Sequence, residues 1–519
     1  MLSRFIAALV AMAIVNLASS LAFAASISLS VQAGPPDTKT IVKGTGLGAN
    51  AIHEVYFGLQ QLTFGVTDGA GKLTLELNIP ETALPGNQVI SIIPHSGNGA
   101  SAQKFFEVRT NWTHWHHDAA STGRVAFDNV LKTTTVKNLG LSWRLPGGSV
   151  QSAPLLVDKA VYYITSDGHL RAVNRNTRAP VFNIVAGALP LTAPTYGGGK
   201  VVVAAAGKIK AFSSKTGALA WKANLPPGVG TPVVSDGIVY VVAEGNTNAG
   251  VFAFKVDCGT GGATCTPVWH ALLGSTSSVP PIESSVAVGG GNVYAVAGGK
   301  LYGLKVGCNT GGATCTPYAD WGSIRNWAPA FSNNYVFAVV GAAPVELAAF
   351  LANGPSLSPA WKGQFDNFSK NGTVTVAGNQ AFVLGGGMLS AFPASCSAPT
   401  CVPNWETPLL GGSYATAVAG DIVYALTEDH VYAFPASCSN NCRPLWQAGT
   451  GGLPFFAPYI SLAVADGNVY VPGNQGINVF NLNNLSGQAF LVDKARLKPS
   501  PQFAAAESRL DIRLSAARH

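Results

Sequence analysis

The sequence predicts an all-β protein, an eight-bladed β-propeller preceded by a small β-sandwich, and three features carry that expectation. The first is a repeated strand: Gly237-Ile-Val-Tyr-Val-Val-Ala243 is echoed by Gly291-Asn-Val-Tyr-Ala-Val-Ala297, Gly420-Asp-Ile-Val-Tyr-Ala-Leu426 and Gly467-Asn-Val-Tyr-Val471. The second is that each copy turns into another short strand, as in Lys208-Ile-Lys-Ala-Phe212, Lys300-Leu-Tyr-Gly-Leu304 and His430-Val-Tyr-Ala-Phe434. The third is a closing aromatic: Trp143, Phe182, Trp221, Trp269, Trp321, Trp361, Trp405 and Trp446 follow one another at intervals of 39 to 52 residues. Short apolar strands separated by frequent turns, repeated at this period, are the pattern of four-stranded blades arranged in a ring.

Eight anchors imply eight blades over 138–485. After Trp446 three more strands follow, near 461–464, 468–471 and 477–480, without a final tryptophan. Trp143 lies upstream of the first complete copy, so the strand at 139–145 is expected to complete the last blade and leave no open ring edge. Buried between neighbouring blades, the tryptophans contribute apolar area and do no chemistry.

Composition agrees with a folded β protein. Of 519 residues 47% are hydrophobic and only 11% charged, and the 59 Gly and 32 Pro suit tight turns between apolar strands. The first 24 residues read as a signal peptide: Arg4, an apolar run from Phe5 to Phe23, and the small-x-small sequence Ala22-Phe-Ala24. A retained membrane anchor is the alternative for this run. The first cysteine is Cys258, so no lipid-acceptor cysteine follows the run, and no later stretch of 18 unbroken apolar residues exists to span a bilayer stably. The expected location is periplasmic, cell-surface or secreted.

The eight cysteines form four tight pairs, Cys258 with Cys265, Cys308 with Cys315, Cys396 with Cys401 and Cys438 with Cys442. In an exported chain these read as disulfides, each stapling the hairpin between a Tyr/Phe strand and its closing tryptophan. Loops this short restrict the unfolded chain by about 2 to 2.5 kcal/mol each. Zinc is the competing reading, but the pairs lack a histidine and the usual two-residue spacing.

Residues 25–108 follow another pattern, with Ile27-Ser-Leu-Ser-Val31, Lys43-Gly-Thr-Gly-Leu-Gly48, Thr67-Asp-Gly-Ala-Gly71, Leu73-Thr-Leu-Glu-Leu77, Leu84-Pro-Gly-Asn87 and Val89-Ile-Ser-Ile-Ile93. Six or seven alternating strands in such a length predict a sandwich. Its Gly-x-Gly-x-Gly turn and Thr-Asp-Gly hairpin resemble the TIG family of immunoglobulin-like domains. A lead-in, 109–137, links it to the ring, and a tail, 486–519, follows, with Ala504 to Arg518 as a possible short helix.

Within the lead-in, Asn111-Trp-Thr-His-Trp-His-His-Asp-Ala-Ala-Ser-Thr-Gly123 resembles the start of bacterial propellers built from pyrroloquinoline-quinone-like (PQQ-like) repeats. Those repeats share the Gly-x-Val-Tyr strand and Thr-Gly-x-x-x-Trp, here Thr216-Gly-Ala-Leu-Ala-Trp221. The resemblance implies the fold over about 111–485. It leaves function open, because the family holds dehydrogenases and non-catalytic scaffolds, among them lipoproteins of outer-membrane barrel assembly. The dehydrogenases would imply a PQQ cofactor resting on a disulfide of adjacent cysteines, with calcium or a lanthanide held by Glu, Asn and Asp. This sequence has no adjacent cysteines and no Cys-x-x-Cys-His haem site, and Glu244, Glu283, Glu346, Asp320 and Asp366 are scattered singly.

The best metal-like cluster is His114, His116, His117 and Asp118. In an extended strand His114 and His116, with Asp118, share one side and His117 faces the other; otherwise the segment is a linker. No Gly-x-Ser-x-Gly elbow or Ser/His/Asp arrangement appears. What remains is a binding surface. Residues 137–222 hold eleven Lys/Arg against Asp158 and Asp167, a net +9; the chain after residue 24 is +6, so the remainder is −3. Arg171, Arg175, Arg178, Lys208 and Lys210 are therefore candidate contacts for an envelope protein or an anionic polysaccharide, against the reading of solvating turn residues. The expectation is a non-catalytic binding or scaffolding protein with no cofactor and no nucleic-acid partner; the alternative is a degenerate PQQ-dependent alcohol or sugar dehydrogenase using PQQ and calcium.

Overall fold

The computed structural model describes residues 24–482 apart from 97–98, 190, 246–248, 274–283, 309–313, 326–327, 342–343, 353–355, 366–372, 439–441 and 454–458. The expected signal peptide, apart from Ala24, and the expected tail lie outside the described residues. Among the described residues the only helical turn is Val136–Asn138, and no helix is long and apolar enough to cross a membrane. The chain divides into two compact units between Arg109 and Thr110.

The first unit is two sheets over one core. Ser26–Leu29, Lys39–Thr45 and Leu73–Asn78 form one sheet; Ala33–Gly34, Ala102–Val108, Gly86–Pro94, Ile52–Phe57 and Gln60–Val66 form the other. Lys39–Thr45 alternates exposed and buried residues, so Val42 points inward while Lys39 and Lys43 point out. Val42 and Leu77 meet Val55, Ile90, Ile92 and Phe106 in a shared core. The expected turn at Thr67 to Gly71 is held by Asp68 Oδ1, which accepts from the N–H groups of Ala70 (2.9 Å) and Lys72 (2.8 Å).

Among the described residues the second unit carries eight mainly antiparallel sheets, numbered here in chain order. Sheets 1 to 7 occupy 155–185, 195–224, 228–272, 286–321, 330–364, 374–408 and 413–449. Sheet 8 joins Gly140–Leu145 to Ala463–Ala465, Asn468–Gly473 and Gly476–Asn481, with Leu141 opposite Phe480 and Arg144 opposite Asn478. The innermost strands of successive sheets contact one another, and that of sheet 8 contacts that of sheet 1. The protein is thus an all-β propeller closed by its own early strand. Second strands such as Ile422–Thr427 are buried along their whole length because a neighbouring sheet covers each face, which is why they read as unbroken apolar runs.

All four cysteine pairs are bonded. Their hairpins do more than staple loops, since each lies on the outer edge of the preceding sheet. Ala263–Thr264 pairs in parallel with Trp221 and Lys222, Thr314–Cys315 with His270 and Ala271, and Thr400–Cys401 with Lys362 and Gly363. Cys442 packs near Trp405, and its carbonyl accepts from Thr407 Oγ1 at 2.9 Å. The expectation that every closing aromatic is core is corrected accordingly. Trp221, Trp269, Trp361 and Trp405, which lie under hairpins, are at most 3% exposed, whereas Trp143, Phe182, Trp321 and Trp446 are only half-buried. A closing ring sits at the rim, so full burial needs a neighbour from outside its own sheet.

Candidate functional site

The lead-in is not a linker. From Thr110 onward it belongs to the propeller unit and runs around the ring, bonding to every sheet. Thr110 begins at sheet 8, where its N–H and Oγ1 donate to Asp466 Oδ1 (2.6 and 2.9 Å). Trp112 exchanges two backbone bonds with Leu156 of sheet 1, and the carbonyl of Thr113 accepts from Tyr196 of sheet 2. The carbonyls of Ala119, Ala120, Thr122 and Gly123 then accept from Val288, Phe331, Val376 and Val418, on sheets 4 to 7, at 2.7 to 2.9 Å. Arg124–Val125 extends the last contact as a short parallel strand, and Val130 returns the chain to Gly467 of sheet 8. This strap satisfies one row of inner-strand N–H groups that a bare ring would leave unpaired.

Sheet 3 uses a side chain instead. The N–H of Val234 donates to His114 Nε2 at 3.0 Å, and His114 Nδ1 lies 2.8 Å from Thr113 Oγ1. Nε2 is also 2.9 Å from the Val234 carbonyl. Because the corresponding N–H in the neighbouring sheets donates to the strap, we assign Nε2 as acceptor and the proton to Nδ1. Burial holds the His114 imidazole down at about 4, with the nearby Asp118 charge only partly opposing it. Burial likewise lowers His116 to about 4.

The expected side-sharing of His114, His116 and Asp118 is also corrected. The strap is not extended there: His114 and His117 bridge each other, and His117 and Ser121 adopt positive φ (73° and 58°). His114 reaches Val234, His116 packs against Trp115, and Asp118 accepts from Thr122 N–H and Oγ1. Burial raises the Asp118 carboxyl, but bonds and charge from His117 and bonds from Thr122 outweigh it and hold it at about 2. Among the described residues no three His, Cys, Asp or Glu gather as a metal site.

Midway along the strap Trp115 turns into the hub. It is 3% exposed and packs with Ala153, Ala193, Ala328 and Tyr459, contributed by sheets 1, 2, 5 and 8. Its ring meets that of Tyr459 edge-on at 6.1 Å, and Tyr459 Oη donates to the Val229 carbonyl of sheet 3 (3.4 Å). Alanine at three hub positions leaves room for the indole. The sequence signal was present in the aromatic lead-in, but nothing local told its direction.

The five basic candidates do not form one surface. Arg175, its side chain 7% exposed, pairs with Asp466 at 2.9 Å; Arg171 pairs with Asp167 at 2.6 Å; Arg178 lies over the Trp143 ring at 5.1 Å. Lys208 and Lys210 do come together, with Lys222 beside them opposite Lys210. Burial and the charges of Lys208 and Lys222 lower the Lys210 ammonium, which donates to the Ala186 carbonyl at 2.7 Å. Of the scattered carboxylates, Asp320 and Glu346 pair with Lys300 and Lys362, and Glu244 accepts from the Gly298 N–H; Glu283 and Asp366 lie outside the described residues.

Residues 183–308 match the family model described as outer membrane protein assembly factor BamB. That match spans the outer strand of sheet 1 to the start of the sheet 4 hairpin. BamB from Moraxella catarrhalis is similar in structure, with 15% identity and a TM-score of 0.51 over 67% of this chain and 99% of that one. So is the quinohemoprotein alcohol dehydrogenase from Comamonas testosteroni, with 13% identity and a TM-score of 0.50 over 76% and 84%. The computationally designed Ika8 protein also matches, with 14% identity and a TM-score of 0.51 over 66% and 100%. No curated protein matches the chain. At these identities the likenesses establish the PQQ-type propeller fold alone.

Proposed function

We propose that this is an exported, non-catalytic propeller of the cell envelope or extracellular space that binds a protein partner, with its first unit a TIG/immunoglobulin-like module. The observation that carries this reading is the hub, where Trp115 and Tyr459 pack against three alanines beneath a strap bonded to every sheet. The described hub side chains, two aromatic rings packed on three alanines, do not fit a flat quinone and a hard cation. Among the described residues they offer no carboxylate, and the four disulfides lie in rim hairpins, each between cysteines four to seven positions apart. The disulfides favour an oxidising compartment, in line with the apolar run at residues 5–23. An anionic polysaccharide loses its motivation, because Arg171 and Arg175 hold carboxylates and Arg178 covers a tryptophan.

The test is reconstitution of purified protein with pyrroloquinoline quinone and calcium. The expected result is no retained quinone absorbance after desalting and no dye-linked oxidation of alcohols or sugars. Stoichiometric retention with turnover would overturn the reading.

A further inference from the structure

The outer edge of sheet 1 differs from the edges beneath the hairpins. In sheets 3, 4 and 6 the third strand is followed by a disulfide hairpin that lies along the preceding edge. In sheet 2 it is followed only by the short turn Ser214 to Gly217. Gly217 sits directly on Phe182, since a Cβ there would stand 2.9 Å from that ring, and its φ of 72° turns the chain back at once. Among the described residues nothing covers the edge strand Pro180–Val185: six residues without a charge, with its one proline in first position, Val181 and Val185 41% and 67% exposed, and Phe182 half-buried. Such edges invite strand addition and are usually blunted by charge or covered. The other half-buried anchors have different neighbours. The Trp446 indole donates to Leu139, Trp143 lies under Arg178, and Trp321 is in a three-residue edge bearing Asp320.

We infer that this edge is a docking site for an extended segment of another protein, added as a parallel strand along Pro180–Val185 and carrying acidic residues at its C-terminal end. The inference rests on the protein-binding reading above and gives that binding a place and a chemistry. Direction and register come from the covered sheets. On sheet 2 the carbonyls of Ala220 and Lys222 accept from Gly262 and Cys265, and on sheet 5 the Lys362 N–H donates to Pro399. Phe182 lies opposite Ala172 as Trp221 lies opposite Ala211, so the matching outward groups are the Val181 carbonyl and the N–H and carbonyl of Asn183. A strand there buries alternate side chains over Phe182 and Ile184, which face sheet 2.

The charge preference comes from where that strand would end. Beyond Val185 lies a pocket of about 170 Å³ lined by Ala186, Gly187, Val203, Ala205, Lys208 and Lys210, and Lys222 pairs in register with Lys210. Among the described residues no carboxylate forms an ion pair with these three lysines. Three ammonium groups on one face favour an anion on a partner. The corresponding positions of sheet 3, under the next hairpin, are Gly250, Phe252 and His270.

The experiment measures binding of a fluorescein-labelled nine-residue peptide, alternating valine and threonine and ending in two aspartates, to the full chain by fluorescence polarisation. Saturable binding is expected, weakened at least tenfold by Asn183→Pro and by the pair Lys208→Glu and Lys222→Glu. It is expected to be lost when the Ser214 to Gly217 turn is replaced by the sequence of the Cys258 to Cys265 hairpin, which covers the edge. Val181→Lys with Val185→Lys, which keeps the strand's own backbone bonds, serves as the second edge variant, and thermal unfolding checks that each protein is folded. No saturable binding overturns the inference. Binding that needs the lysines but not the edge also overturns it, reducing the site to an anion patch. A dimer dissolved by the edge variants would assign the edge to a second copy and overturn the stated occupant. Failure here leaves the non-catalytic reading intact, since quinone reconstitution decides that independently.

Discussion

Acid should loosen the propeller through two buried imidazoles of the strap. His114 and His116 are held at about 4 against an ordinary 6.5, chiefly by burial. A histidine whose folded value is depressed contributes stability that is fully present above 6.5 and is lost as pH falls from there toward 4. At about pH 5 the unfolded chain has taken up both protons and the folded one neither, a loss of about 2 kcal/mol per site and about 4 for the pair relative to about pH 8. Asp118, held at about 2, stays charged throughout that window; its own contribution disappears only below the ordinary 3.8. Urea unfolding followed by tryptophan fluorescence at both pH values measures the loss. The double variant His114→Asn and His116→Gln is expected to be less stable at the higher pH but to lose about 4 kcal/mol less on acidification. An unchanged pH slope would refute the assignment of buried, neutral imidazoles to the strap.

Other perturbations test separate parts of the ring. Cys258→Ser with Cys265→Ser should cost about 2 to 2.5 kcal/mol and raise acrylamide quenching by exposing Trp221, an increase that should vanish when Trp221 is phenylalanine. Arg175→Ala should cost about 1 to 3 kcal/mol in urea unfolding, because the partly buried Asp466 carboxylate loses its ion pair but keeps the two bonds from Thr110. Arg171→Ala at the exposed Asp167 pair should stay within about 1 kcal/mol.

The blade repeat was legible because each copy carries its own local evidence: period-two apolar patterning, Gly turns and a closing aromatic. The cysteine pairs were equally legible, since four to seven positions of separation leave each partner close at hand. The strap was misjudged for a specific reason. Alternation rules assume extended backbone, whereas His117 and Ser121 take positive φ and turn His114, His116 and Asp118 toward different neighbours. The basic sector was misjudged because a count of charges does not reveal partners: Asp466, which holds Arg175, is 291 positions away in sequence.

What the chain of residues determined by itself is therefore everything encoded within one repeat: strand order, turn chemistry, local disulfides, and a spare early strand that finishes the last blade. Only the closed ring decided what lies across repeats. It carried Trp115 into the hub, laid each disulfide hairpin over the previous sheet's tryptophan, and, among the described residues, left Pro180–Val185 uncovered where the next turn is short. Such contacts depend on which sheets become neighbours in space, and that is set by the curvature of the ring rather than by any local pattern.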